Sequence, residues 1–147
     1  MTTPTVFSDV AANANIYKYV ETGVIAQKFS LTLAESLAAD SNCGLIRFAP
    51  GFTLLGLVLD PSDMDTATTL VLDIGYLYDD TTNEDDNALA DNSAIGQTGA
   101  TLVLPVSGGL TPFFTAEDYG YVSITTRGEV IEVAGTITGY ALFTYDA

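Results

Sequence analysis

Apolar and polar residues alternate with a period of two along most of the chain, the pattern of strands with one buried and one exposed face. In residues 68–78, Thr68, Leu70, Leu72, Ile74, Tyr76 and Tyr78 share one side. Thr69, Val71, Asp73, Gly75 and Leu77 share the other. The segment 130–145 carries the same alternation for longer, with Ile131, Val133, Ile137, Ala141, Phe143 and Tyr145 opposite Glu132, Thr136, Thr138, Tyr140, Leu142 and Thr144. Gly135 and Gly139 within it predict a bend or bulge where the strand changes sheet. Further strands are predicted over Ile16–Val20, Gln27–Leu33, Leu45–Phe48, Thr53–Asp60, Thr101–Val106 and Gly120–Thr126, all rich in β-branched or aromatic residues.

About eight strands in one domain-sized chain predict an all-β fold, an antiparallel β-sandwich or a barrel. Turn residues separate the strands at Ser41–Gly44, Pro50-Gly51, Asp60–Asp63, Ser107–Gly109 and Arg127-Gly128, the last read as a hairpin turn. Leu33–Ala39 reads as either a helical turn or a strand. Residues 1–15 lack a period and contain Pro4, Asn13 and Asn15, which predicts an N-terminal arm or ordered tail before a single domain over 16–147. Thr53–Asp60 is apolar on both faces, so it is either a central strand or one covered by a partner.

At 147 residues the chain can bury a core without metals or disulfide staples. Charge changes the picture most: 4 basic and 19 acidic residues leave −15, and no Lys or Arg falls between Arg47 and Arg127. Such a field repels phosphate backbones and anionic membrane surfaces, which argues against nucleic-acid and membrane partners. The single Cys43 excludes an intrachain disulfide and a cysteine-cluster metal site, and it reads as a small buried filler. The first twenty residues show neither the basic region nor the apolar core of a secretory signal, so the expectation is synthesis in the cytoplasm.

The absence of histidine removes the commonest general base and the ordinary nucleophile-activating triads. Catalysis would have to rest on carboxylates alone, with Asp60, Asp63, Asp65, Asp73, Glu117 and Asp118 available for a glycosidase-like pair and no tryptophan as a sugar platform. The expectation is a protein without enzymatic chemistry. Asp79–Asp91 concentrates oxygen ligands, with Asp79, Asp80, Glu84, Asp85 and Asp86 as the core of a calcium loop. An EF-hand frame started at Asp80 puts Asp85 where glycine is needed and Asp91 where glutamate is needed, so the competing reading is a solvated, self-repelling charge run. No other cofactor is expected. Phe7 and the pair Phe113-Phe114 fall outside strand phase, as either interface anchors or core plugs, and Tyr119 follows closely.

The ordered segments Gly44–Gly51 (GLIRFAPG), Thr53–Asp60, Leu70–Tyr78 with its acidic sequel, Thr111–Phe114 (TPFF), Tyr119–Thr125 (YGYVSIT) and Gly135–Tyr145 (GTITGYALFTY) resemble the decoration or cement proteins of tailed bacteriophages. These are small capsid-associated proteins with a jelly-roll-like β-sandwich. The likeness runs from about Gln27 to the end and is one of pattern. It implies a virion structural protein on the exterior of an icosahedral head, contacting neighbouring major-capsid subunits and stabilising the expanded shell, in symmetric clusters such as trimers. Contact candidates are the arm, with Phe7, and the region of Phe113, Phe114 and Tyr119. The alternative is a ligand-binding sandwich of a tail or fibre, a calcium-assisted binder of carbohydrate or host surface, motivated by the acidic loop.

Overall fold

The computed structural model describes residues 4–12, 24–66, 69–80, 84–104 and 114–145. They build two sheets facing each other across one core. The first sheet contains β1 (Val6–Phe7), β3 (Asn42–Phe48), β5 (Val71–Tyr78), β6 (Asp85–Ser93) and β9 (Gly120–Arg127), in the order β1-β3-β9-β5-β6. The second contains β2 (Ile25–Leu33), β4 (Phe52–Pro61), β7 (Leu102–Leu104), β8 (Phe114–Thr115) and β10 (Gly135–Tyr145), in the order β2-β10-β4-β7 with β8 also paired to β4. Pairing is antiparallel except where β1 joins β3 in parallel. Two four-residue helices, α1 (Asp9–Ala12) and α2 (Ile95–Thr98), complete the described elements. The antiparallel sandwich expected from the alternation is the fold observed.

The core is aliphatic in the middle, with Leu31, Leu33, Leu57, Leu59, Leu72, Ile74, Ile124 and Ile137 fully buried. It is aromatic at one end, where Phe52 packs on Phe48 with ring centroids 5.1 Å apart and on Phe143 at 4.8 Å. Burying each such side chain contributes about 1.5–3 kcal/mol. Two bulges explain apolar runs that alternation alone leaves ambiguous. Across β4 and β10 the register passes from Leu142↔Gly56 to Phe143↔Leu54, so Leu55 is the extra residue. Phe52 and Leu54 point inward before it and Leu57 and Leu59 after it, which is why Thr53–Asp60 is apolar in both phases. Across β3 and β9 the pairing skips Leu45 in the same way, and Leu45 and Ile46 are both buried.

Several expectations are corrected. Most of the acidic segment is an edge strand, β6, paired irregularly with β5 at Leu72↔Ser93, Ile74↔Ala90 and Tyr76↔Asp85. Its backbone lies against Gly75, where a Cβ would overlap the Asp85 carbonyl. Arg127-Gly128 does not close a hairpin, because β9 and β10 belong to opposite sheets; Gly128 has φ +79° where the chain leaves β9. Nor does β10 change sheet at Gly135 or Gly139; it stays between β2 and β4 throughout, and its irregularity falls at Leu142/Phe143. Leu33–Ala39 is not helical: β2 ends at Leu33 and a turn follows. Thr101–Val106 is represented by the three-residue β7, with residues 105 and 106 outside the described set. The predicted strand Ile16–Val20 also lies outside the described residues.

Within the N-terminal arm, residues 5–8 lie along the first sheet, and α1 reaches β2 of the second, where Ser30 N–H donates to Asp9 Oδ1 at 2.8 Å. Thr5 N–H donates to the Asn42 carbonyl at 2.9 Å and Ser8 N–H to that of Gly44 at 2.8 Å. The Ser8 hydroxyl donates to Leu45 O at 2.6 Å and accepts from Ala11 N–H at 3.1 Å, so a buried polar side chain is satisfied on both sides.

Candidate functional site

Three surfaces follow from this arrangement. The first is an aromatic and guanidinium cluster on the outer face of the first sheet. Gly44 is its floor: lacking a Cβ, it lets the rings of Phe7 and Tyr121 close over the backbone, their centroids 5.6 Å apart. The Arg47 guanidinium lies 4.7 Å from the Tyr121 ring centroid and 5.9 Å from that of Tyr119. Both its terminal nitrogens donate to Asp79, Nη1 to Oδ1 at 2.5 Å and Nη2 to Oδ2 at 2.6 Å. Hydrogen bonding to Asp79 raises Arg47 above its usual range. Phe7 and Tyr119, far apart in sequence, thus share one surface through Tyr121 and Arg47, with Phe7 36% exposed.

Phe114 is elsewhere. Its ring packs on Tyr76 at 4.5 Å, Phe48 at 5.6 Å and Phe52 at 5.9 Å, closing the aromatic end of the core. Phe113 lies outside the described residues.

The second surface is centred on Arg127. Nε donates to Asp73 at 2.9 Å, Nη1 to Asp40 at 2.7 Å and Nη2 to Asp86 at 2.6 Å. Its hydrogen bonds to Asp40 and Asp73, with the charge of Asp86, hold its pKa above the ordinary value. A cavity of about 370 Å³ opens beside it, lined by Asp40, Asn42, Leu77, Glu84, Asp85 and Asp86. The five residues of the expected calcium loop are therefore not gathered into one ring of ligands: Asp79 pairs with Arg47, Asp86 with Arg127, Asp80 is exposed beyond β5, and Glu84 and Asp85 border the cavity. Among the described residues, the acidic groups whose ligand oxygens lie within 4.8 Å of one another are Asp65, Glu129 and Glu132. Asp65 Oδ2 accepts from the N–H groups of Thr69 and Leu70, and Glu132 Oε2 from N–H and hydroxyl of Thr66. The Glu129 carboxyl is raised by lost solvation first and then by the negative charge of Glu132 and Asp65.

The third surface is the outer face of the second sheet. Register aligns Lys28, Tyr140, Val58 and Val103 in one row across β2, β10, β4 and β7. Tyr140 is 39% and Val103 56% exposed. A groove of about 570 Å³ runs beside the row, bordered by Asp9, Ser30, Asp60, Thr101 and Thr138. The alternation in 130–145 already separated Thr136, Thr138, Tyr140 and Leu142 from the core positions; what it lacked was the register that brings Val58, Val103 and Lys28 alongside. Arg127 and Arg47 were legible only as rare cations in an acidic chain.

No protein-family model matches the chain, and no curated protein matches it in sequence. Solved structures do match in shape. A chain from the cyanophage Pam1 capsid asymmetric unit superposes with a TM-score of 0.65 at 17% identity, over 88% of this chain and 94% of that one. A chain from the capsid of Ralstonia phage GP4 superposes with a TM-score of 0.70 at 22% identity, over 96% of this chain and 97% of that one. At such identities the likeness is one of fold: this two-sheet sandwich is similar, end to end, to chains found in two phage capsids.

Proposed function

We propose that the chain is a non-enzymatic structural protein of a phage virion, seated on the outside of an icosahedral head, where it stabilises contacts between major-capsid subunits. The observation that carries this reading is the match over 96% of the chain and 97% of its counterpart to a chain of the Ralstonia phage GP4 capsid. A likeness that leaves almost nothing of either chain unmatched supports reading the whole domain, and not one part of it, as the unit that serves the capsid.

The physical chemistry is consistent with an outer position. A net charge of −15 does not compete for a packaged genome and keeps the free protein soluble. Its four cations include Arg47 and Arg127, both engaged with carboxylates, which leaves little positive charge to attract nucleic acid. Copies repeated over a shell, in symmetric clusters such as trimers, turn a weak contact per copy into high occupancy through effective concentration.

The test is binding to expanded heads assembled without the protein. Purified, labelled protein is mixed with the heads, the heads are sedimented, and bound copies are counted. Saturation at a copy number related to icosahedral symmetry is expected. Absence of saturable binding contradicts the reading and favours the tail or fibre module instead.

A further inference from the structure

The two outer faces of the sandwich differ in charge. β2, β4, β7 and β10 contain one carboxylate, Asp60, whose Oδ1 accepts from the Thr101 hydroxyl at 3.0 Å. They contain one cation, Lys28, which is exposed. β5 and β6 alone contribute Asp73, Asp85, Asp86 and Asp91 to the opposite sheet, and Asp40 and Asp79 join that side through Arg127 and Arg47. Asp9 of α1 adds a second carboxylate beside the groove, its Oδ1 accepting from Ser30 N–H at 2.8 Å. Among the described residues this outer face therefore sets two carboxylates against one lysine, far less negative charge than the first sheet in a chain of −15, and carries an exposed apolar row.

We propose that this face, centred on Tyr140, Val58 and Val103, is the docking surface for the shell. Its occupant is a near-neutral, largely apolar patch of capsid protein that offers a carboxylate to Lys28. The proposal rests on the virion reading above and assigns the face used.

Charge and area together select this occupant. A second copy of the chain would bring −15 against −15, and a strongly basic partner would be drawn to the first sheet instead. Strands about 4.8 Å apart, with 9, 10, 3 and 11 residues in β2, β4, β7 and β10 at about 3.3 Å each, make a face of roughly 500 Å². That is short of the roughly 800 Å² per partner in a standard stable complex. One face is therefore too small to hold a dimer in solution against that repulsion, but sufficient for a contact repeated over an array. Docking by this face turns the acidic sheet outward, where neighbouring copies are separated by solvent and salt.

Three variants of equal charge change test the assignment on expanded heads lacking the protein. Tyr140→Glu and Val103→Glu place a carboxylate on the apolar row at exposed positions. Ala88→Glu places the same charge on β6, also exposed. The melting temperature of each free variant verifies folding. The expected result is a rise in apparent Kd of about tenfold or more for Tyr140→Glu and Val103→Glu, and a change within about twofold for Ala88→Glu.

If wild type binds and all three variants bind alike, or Ala88→Glu weakens binding as much as Tyr140→Glu, docking uses another face and the virion reading stands. If wild type does not bind heads, both fall. If the free wild type sediments as a dimer that Val103→Glu dissolves, a second copy covers the face and the assignment is wrong.

Discussion

Arg127 Nε donates to Asp73 Oδ2 at 2.9 Å across two adjacent strands, although the two residues are 54 positions apart. Asp73 is buried and also accepts the Asn92 N–H at 2.9 Å, so one carboxylate ties β9 to β5 and to the end of β6. Removing it leaves the guanidinium and a backbone amide short of an acceptor. Asp73→Ala is expected to cost about 3 kcal/mol, lowering the melting temperature by roughly 6–12 °C. Denaturant unfolding measures it, and a loss below about 0.5 kcal/mol would show that Asp40 and Asp86 suffice for Arg127.

Phe114 is expected to act on stability before binding. Its packing on Tyr76, Phe48 and Phe52 makes Phe114→Ala a cavity at the end of the core, costing about 3 kcal/mol. A variant that melts like wild type yet fails to bind heads would make Phe114 an interface anchor instead.

The Cys43 thiol is pushed up from 9.0 to about 12 by burial. The folded state therefore holds this proton more tightly than the unfolded chain. Its contribution is fully present below pH 9 and is lost as pH rises from there through about 12, at most about 4 kcal/mol over three units. Tyr76, Tyr78 and Tyr145, also raised by burial first, act with the same sign. Stability measured against pH should fall on the alkaline side, less steeply in Cys43→Ala. Native protein at pH 8 should resist iodoacetamide and react once unfolded; rapid native alkylation would contradict the burial argument.

Calcium is expected to leave stability unchanged. Asp79 and Asp86, the two loop carboxylates with arginine partners, are neutralised without a metal. Melting temperatures in millimolar calcium and in chelator should agree. A rise with calcium would place the ion among the remaining carboxylates, and Glu132→Gln against Asp85→Asn would separate the Asp65, Glu129, Glu132 cluster from the cavity beside Arg127.

These cases show what a single sequence makes legible. Strands whose two faces meet different solvents, such as β5, β9 and β10, announce themselves by alternation. β6 does not, because DDNALADNS has few apolar residues and is held by its pairing with β5, its closeness to Gly75 and the reach of Arg127. The bulges at Leu55 and Leu45 shift phase in mid-strand, which sequence presents only as a run apolar on both faces. Site residues are harder still. The meeting of Phe7 with Tyr121 and Arg47, and the row from Lys28 to Val103, depend on register between strands distant in sequence, and register is not written in any one of them.

The most direct test of the account is the melting temperature of expanded heads assembled without the protein, measured before and after its addition. The account predicts a rise that saturates together with the number of bound copies. Heads that bind the protein and melt unchanged would contradict a stabilising role, and heads that bind none would contradict the virion reading itself.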